Sequence, residues 1–162
     1  MLLKGKVMPG PMRGEGLMEH FHYRIVHTLG FEPYKGTLDI KIEHDIRVGD
    51  YATKTIDHVI LDGRTVIDAY LCPVTIRKGE KSTKAWIIRK SGEVFSKSIV
   101  EIISKERIKD ELDIKNGDEV ELEIPGTKVK KSERKKHFAK RFRRMKQDIP
   151  HIVGSDTTLM KR

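Results

Sequence analysis

Apolar residues in this chain recur at every second position, in runs too short for helices, and glycine or asparagine interrupts most of the runs. Gly36-Thr37-Leu38-Asp39-Ile40-Lys41-Ile42-Glu43 alternates apolar with polar, and so does Glu119-Val120-Glu121-Leu122-Glu123-Ile124 after the turn Asn116-Gly117-Asp118. That alternation marks strands with one buried face. Ile56–Leu61 and Thr65–Tyr70 flank Asp62-Gly63, a pair that supplies the positive φ of a tight hairpin. Further strands are expected at Leu3–Met8, Leu71–Arg77, Ala85–Arg89 and Ile99–Ser104. Two helices are expected. Met18, Phe21, Ile25, Val26 and Leu29 fall at helical spacing ahead of the stop Gly30, and Lys105–Leu112 reads as a short helix with Ser104 placed to cap it. Many short strands without a strand–helix–strand rhythm predict a mostly β fold, a β-barrel rather than a doubly wound sheet.

Charge divides the chain in two. The net charge is +9 over 162 residues, but residues 128–162 carry 13 Lys/Arg against 3 Asp/Glu, while residues 1–127 carry 20 against 21. A balanced body of one ordinary domain, 1–127, is therefore expected to precede a basic extension, 128–162. In the extension, Phe138, Phe142, Met145 and Ile149 fall at helical spacing among eleven Lys/Arg between Lys128 and Lys146. Residues 128–146 predict a basic amphipathic helix suited to RNA or another polyanion. One cysteine, Cys72, excludes an internal disulfide framework and fits a cytoplasmic protein. No stretch of eighteen apolar residues is present, so no membrane span is expected.

A few positions carry chemistry. Gly10, Gly14 and Gly16 lie in a segment with Pro9, Pro11 and Glu15, where regular structure is not expected and backbone amides can approach phosphate oxygens. The segment matches neither GxxxxGK[ST] nor GxGxxG. Thr37 and Asp39 stand two apart on a strand, so a hydroxyl and a carboxylate share one side and can hold Mg²⁺ together with phosphate and water oxygens. Glu101 interrupts an apolar strand, where a carboxylate must be paired, hydrogen-bonded, at an edge or functional. Glu106-Arg107-Ile108-Lys109 begins the second predicted helix, where amide dipoles and two cations can meet an anion. His20, His22 and His27 share no helix face and have no cysteine partner, and they are not expected to ligate metal.

The order of these segments resembles one family. Gly5-Lys6-Val7, the glycine segment ending Gly14-Glu15-Gly16, and Leu29-Gly30-Phe31-Glu32-Pro33-Tyr34-Lys35-Gly36-Thr37-Leu38-Asp39-Ile40 are similar to the archaeal CTP-dependent riboflavin kinases. Glu101-Ile102-Ile103 and Leu112-Asp113-Ile114-Lys115-Asn116-Gly117-Asp118-Glu119-Val120 continue the likeness, which covers residues 4–125. The resemblance implies a six-stranded cradle-loop barrel that transfers phosphate from CTP to riboflavin, giving FMN. It implies nucleotide contacts at Gly10, Gly14, Glu15, Gly16 and at Glu106, Arg107, Ile108, Lys109. It further implies Mg²⁺ ligands at Thr37 and Asp39, and flavin contacts at Glu101 and Ser91, with Glu101 catalytic. Three departures stand out: a glycine segment two residues longer without its usual serine, Asp39 where the family has asparagine, and Arg89-Lys90-Ser91-Gly92-Glu93-Val94-Phe95 where it has a threonine and a histidine.

Overall fold

Strand β3 (Lys54–Leu61), β4 (Thr65–Lys78), β5 (Lys81–Lys90), β6 (Ile99–Ile103), β2 (Leu38–Ile42), β1 (Leu2–Val7) and β7 (Glu119–Glu123) neighbour one another in that order in one antiparallel sheet. Strand β7 also pairs with β4, through Thr75–Glu123 to Arg77–Glu121. Hydrogen bonding thus runs in a ring through β4, β5, β6, β2, β1 and β7, with β3 outside it. Ring pairing leaves few open edges. This computed structural model describes residues 1–10, 14–61, 65–91 and 97–126. The chain divides into Met1–Lys128 and Val129–Arg162, and all seven strands belong to the first unit. The expected tail helix, the Asp62-Gly63 turn and residues 92–96 lie outside the described residues.

The predicted strands Thr65–Tyr70 and Leu71–Arg77 are one 14-residue strand, β4. Pro73 suggests a break, because proline cannot donate to a ladder. It sits opposite Trp86 of β5, while the other edge of β4 is shared: β3 pairs it as far as Leu71 and β7 begins at Thr75. Pro73 falls in the gap, where no donor is needed.

Side chains pack on both sides of this sheet. Val7, Leu38, Ile40, Ile42, Val74, Ile76, Ile87, Val100, Ile102 and Leu122 belong to one buried cluster inside the ring. A second joins Ile56, Ala69, Leu71, Ile88 and Ile103 to Met18, Phe21 and Ile25 of helix α1 (Gly14–Leu29). Burial on two faces explains the near-continuous apolar runs of β5 and β6. Each large side chain buried under α1 contributes roughly 1.5–3 kcal/mol. Gly5 marks a close approach of β1 and β2: a Cβ there would stand 2.5 Å from Ile40 Cγ2 and 3.0 Å from Lys41 O, so a side chain would press the two strands apart.

Both helices begin elsewhere than the sequence predicts. Helix α1 includes Gly14–Gly16, expected as irregular; first-turn amides need no intrahelical partner, and the Met18–Phe21–Ile25 stripe anchors the turns that follow. It ends at Gly30, with φ +78° and its amide donating to Val26 O at 2.8 Å, as a left-handed stop requires. Helix α2 spans only Ile108–Leu112, and its N-cap is Arg107, not Ser104. The Ser104 hydroxyl donates instead to Glu106 O, closing a local turn before the helix can start. No helix among the described residues is long and apolar enough to cross a membrane.

Candidate active site

Asp39 is the pivot of the site. Alternation along β2 sends Leu38, Ile40 and Ile42 into the ring cluster and turns Asp39 to the opposite face. Its carbonyl accepts from Met8 N at 2.9 Å, which seats the start of the glycine segment beside it. A Cβ on Gly10 would lie 3.6 Å from Asp39 Oδ2, so the backbone at Gly10 passes close to the carboxylate. Asp39 is 6% exposed, and its Oδ1 has no hydrogen-bond partner among the described residues. Burial pushes its pKa up, and the Lys109 ammonium pulls it back down.

Glu101 of β6 is the direct cross-strand partner of Asp39. Facing residues on neighbouring antiparallel strands project to one side with Cβ atoms about 4.5–5.5 Å apart. Two carboxylates so placed repel unless a cation stands near them. Lys109 supplies one such charge. Its Nζ donates to Asn116 Oδ1 at 2.7 Å.

Thr37 immediately precedes β2 and lines a cleft of about 170 Å³ with Tyr34, Gly36, Leu38, Ile102, Ser104, Arg107, Ile108 and Lys109. Tyr34 N donates to Ser104 O at 2.9 Å, tying the segment ahead of β2 to the end of β6. Together with the Ser104–Glu106 turn, this sets residues 107–109 opposite Thr37.

Candidate residues thus form two adjoining groups, Gly10 and Glu101 beside Asp39 and Arg107 to Lys109 beside Thr37, joined through β2 and by the Lys109 charge acting on Asp39. Gly14, Glu15 and Gly16 form the first turn of α1, whose free amides and dipole favour an anion. Ser91 is differently engaged. Its Oγ accepts from Asp68 N at 3.0 Å and its amide donates to Asp68 O at 2.7 Å, closing the end of the β4–β5 pairing. Asn116, read from sequence only as a turn residue, is the member that sequence reasoning missed. Nothing in a spacing of seven from Lys109 marks it.

The donor set fits a magnesium ion held jointly with a substrate. Asp39 offers a buried, unsatisfied oxygen and Thr37 a hydroxyl, both hard ligands. No group of three or more His, Cys, Asp or Glu gathers among the described residues, so phosphate and water oxygens would have to supply the remaining ligands. His22 is engaged elsewhere, at 2.9 Å from Glu32. Burial pushes the Cys72 thiol up to about 12, which leaves it inert as a nucleophile. A larger depression of about 420 Å³ lies among Lys4, Lys6, Lys41, Glu43, Glu119 and Glu121. Arg77 and Lys78 also line it, so cations and carboxylates are mixed there, and none of the candidate residues lines it.

The family model CTP-dep_RFKase, described as "Domain of unknown function DUF120", matches residues 7–124. The chain is similar to proteins named riboflavin kinase. That of Methanocella arvoryzae is 28% identical over 125 residues, 76% of this chain and 56% of that protein. That of Thermococcus kodakarensis is 33% identical over 128 residues, 76% of this chain and 58% of that protein. That of Methanosphaera stadtmanae is 30% identical over 128 residues, 75% of this chain and 95% of that protein. The chain spans a little over half the length of the first two.

Proposed function

Because this chain belongs to the CTP-dependent riboflavin kinase family, we propose that it transfers the γ-phosphoryl group of CTP to the 5′-hydroxyl of riboflavin, giving FMN and CDP. The observation that carries this reading is the buried, unpartnered oxygen of Asp39, set between Gly10, Glu101 and the charge of Lys109. A site for in-line phosphoryl transfer has to position two substrates and neutralise charge, with little covalent work for the protein.

The amides of Gly10, Gly14, Glu15 and Gly16 bind phosphate oxygens, with Glu106, Arg107, Ile108 and Lys109 closing on the nucleotide from the other side. Thr37 and Asp39 hold Mg²⁺, which when bound neutralises phosphate charge. Glu101 orients the ribityl 5′-hydroxyl and accepts its proton. Ser91 is the remaining flavin contact in this reading. The pairing ring fits the family's six-stranded cradle-loop barrel.

The deciding experiment incubates the protein with riboflavin, Mg²⁺ and each nucleoside triphosphate in turn. FMN should form, fastest with CTP. No FMN from any donor would sink the kinase assignment, and ATP outrunning CTP would sink the choice of donor.

One observation favours a second activity. The whole positive excess lies in residues 128–162, beyond the family match at 124. In this second reading, residues 128–146 bind RNA through its phosphates. Affinity of the full chain for single-stranded RNA should fall at least about tenfold between about 50 and 200 mM salt. Binding that ignores salt would exclude phosphate contacts as its basis.

A further inference from the structure

Lys109 lines one cleft with Thr37 and Leu38, directly before Asp39, and its charge reaches the Asp39 carboxyl, yet no ion pair within 4 Å joins the two. That is unexpected on energetic grounds. Asp39 has an unsatisfied buried oxygen, and a lysine is a flexible point charge able to reach for one. The ammonium donates instead to Asn116 Oδ1, at 2.7 Å.

Asn116 can hold it because its own turn is fixed at several points. Lys115 N donates to Asp118 Oδ2 at 3.0 Å, and Asp118 N donates to Lys115 O at 3.1 Å. Gly117 takes φ +93° and donates to Val7 O at 2.8 Å, and Val7 N donates to Asp118 O at 2.8 Å. The Lys78 ammonium lies 3.5 Å from Asp118 Oδ2. Val7 is the last residue of β1 and leads directly into the glycine segment at Gly10. One rigid turn therefore fixes both the strand that delivers Gly10 and the amine of Lys109.

We propose that Asn116 is a positioning residue, which keeps the Lys109 ammonium from collapsing onto Asp39 and so leaves that carboxylate open to a divalent cation. The inference rests on the reading of Thr37 and Asp39 as Mg²⁺ ligands. Held in this way, Lys109 lends positive charge to the site and keeps N–H donors for phosphate, without occupying the metal's place. Freed from Asn116, it swings to Asp39 Oδ1 and competes with the cation.

The test is Mn²⁺ binding, followed by the spin signal of the free ion, on full-length protein with and without CTP. Thermal melting and FMN formation are recorded alongside. Asn116→Ala should weaken Mn²⁺ binding about three- to tenfold, the span of one exposed hydrogen bond, with melting almost unchanged. It should also raise the Mg²⁺ concentration needed for half-maximal activity by a similar factor. Asn116→Asp still accepts from Lys109 and should restore Mn²⁺ binding. In a Lys109→Ala background, Asn116→Ala should have no further effect, since no amine remains to compete. Unchanged Mn²⁺ affinity in Asn116→Ala, or an equal loss in the Lys109→Ala background, would overturn the proposal. A chain that binds Mn²⁺ and responds as stated, yet forms no FMN, would sink the kinase reading and leave this one standing. A chain that binds no Mn²⁺ would sink the metal site and this role for Asn116 together.

Discussion

Asp39→Ala should abolish FMN formation, to below about a thousandth of the unaltered rate, while the protein still folds. Two properties of the site lead to this expectation. Asp39 supplies a buried carboxylate oxygen that has no protein partner among the described residues. No cluster of acidic, histidine or cysteine ligands stands by among those residues to replace it. A stabilising charge aimed at transferring phosphate contributes several kcal/mol in such sites. Asp39→Asn, which restores the residue seen in the resembling family, keeps an oxygen ligand and should retain most of the activity.

The same pair of variants makes a stability prediction of fixed sign. Burial raises the folded-state pKa of Asp39 above its unfolded value. Its ionised form therefore costs stability at neutral pH, and the cost disappears as pH falls below the unfolded value, where both states are protonated. In the absence of metal, Asp39→Asn should melt higher than the unaltered chain at pH 7, and the difference should close by about pH 3, below the ordinary aspartate value. Wild-type activity in both Asp39→Ala and Asp39→Asn would remove the residue from the site. An Asn variant that melts lower at neutral pH would contradict the electrostatic account.

Glu101→Gln should lower kcat by roughly two orders of magnitude, the usual contribution of a positioned proton acceptor, and leave nucleotide binding intact. Glutamine keeps the size and the hydrogen-bonding capacity but cannot take a proton at neutral pH. The register decides what else should happen. Glu101 faces Asp39 across β6 and β2, and like charges directly opposite one another destabilise a sheet. Removing one charge relieves that repulsion, so no large fall in melting temperature is expected in the absence of metal. A glutamate that serves only the fold behaves in the opposite way, because losing one member of a structural charge pair leaves the other unpaired. Lowered melting with near-normal kcat would accordingly assign Glu101 to the fold and not to the reaction.

Local patterning in the sequence determined the strands and the approximate course of α1. Alternation places Val120 and Leu122 inside the ring, and a stripe at Met18, Phe21 and Ile25 needs only the 3.6-residue period to be recognised. The candidate site was legible as separate pieces: a glycine segment, a threonine and aspartate two apart, an acid in an apolar strand, and a short basic stretch. Each piece has a bland reading as solvated surface, and only their order pointed to one site. The start of α1, the extent of β4 through Pro73 and the cap of α2 depend on contacts with residues far along the chain, which local propensity does not contain.

Tertiary structure alone decided that Asp39 faces Glu101, that Gly10 passes beside that aspartate, and that Asn116 reaches Lys109. The first depends on strand register, the second on the pairing that brings Met8 to Asp39, and the third on a turn pinned to Val7 more than a hundred residues earlier. Register and chain return are set by the summed packing of the whole core, so no window of sequence specifies them. For that reason the chemistry of individual residues is visible in the sequence, while their coupling appears only once the sheet has closed its ring of pairing.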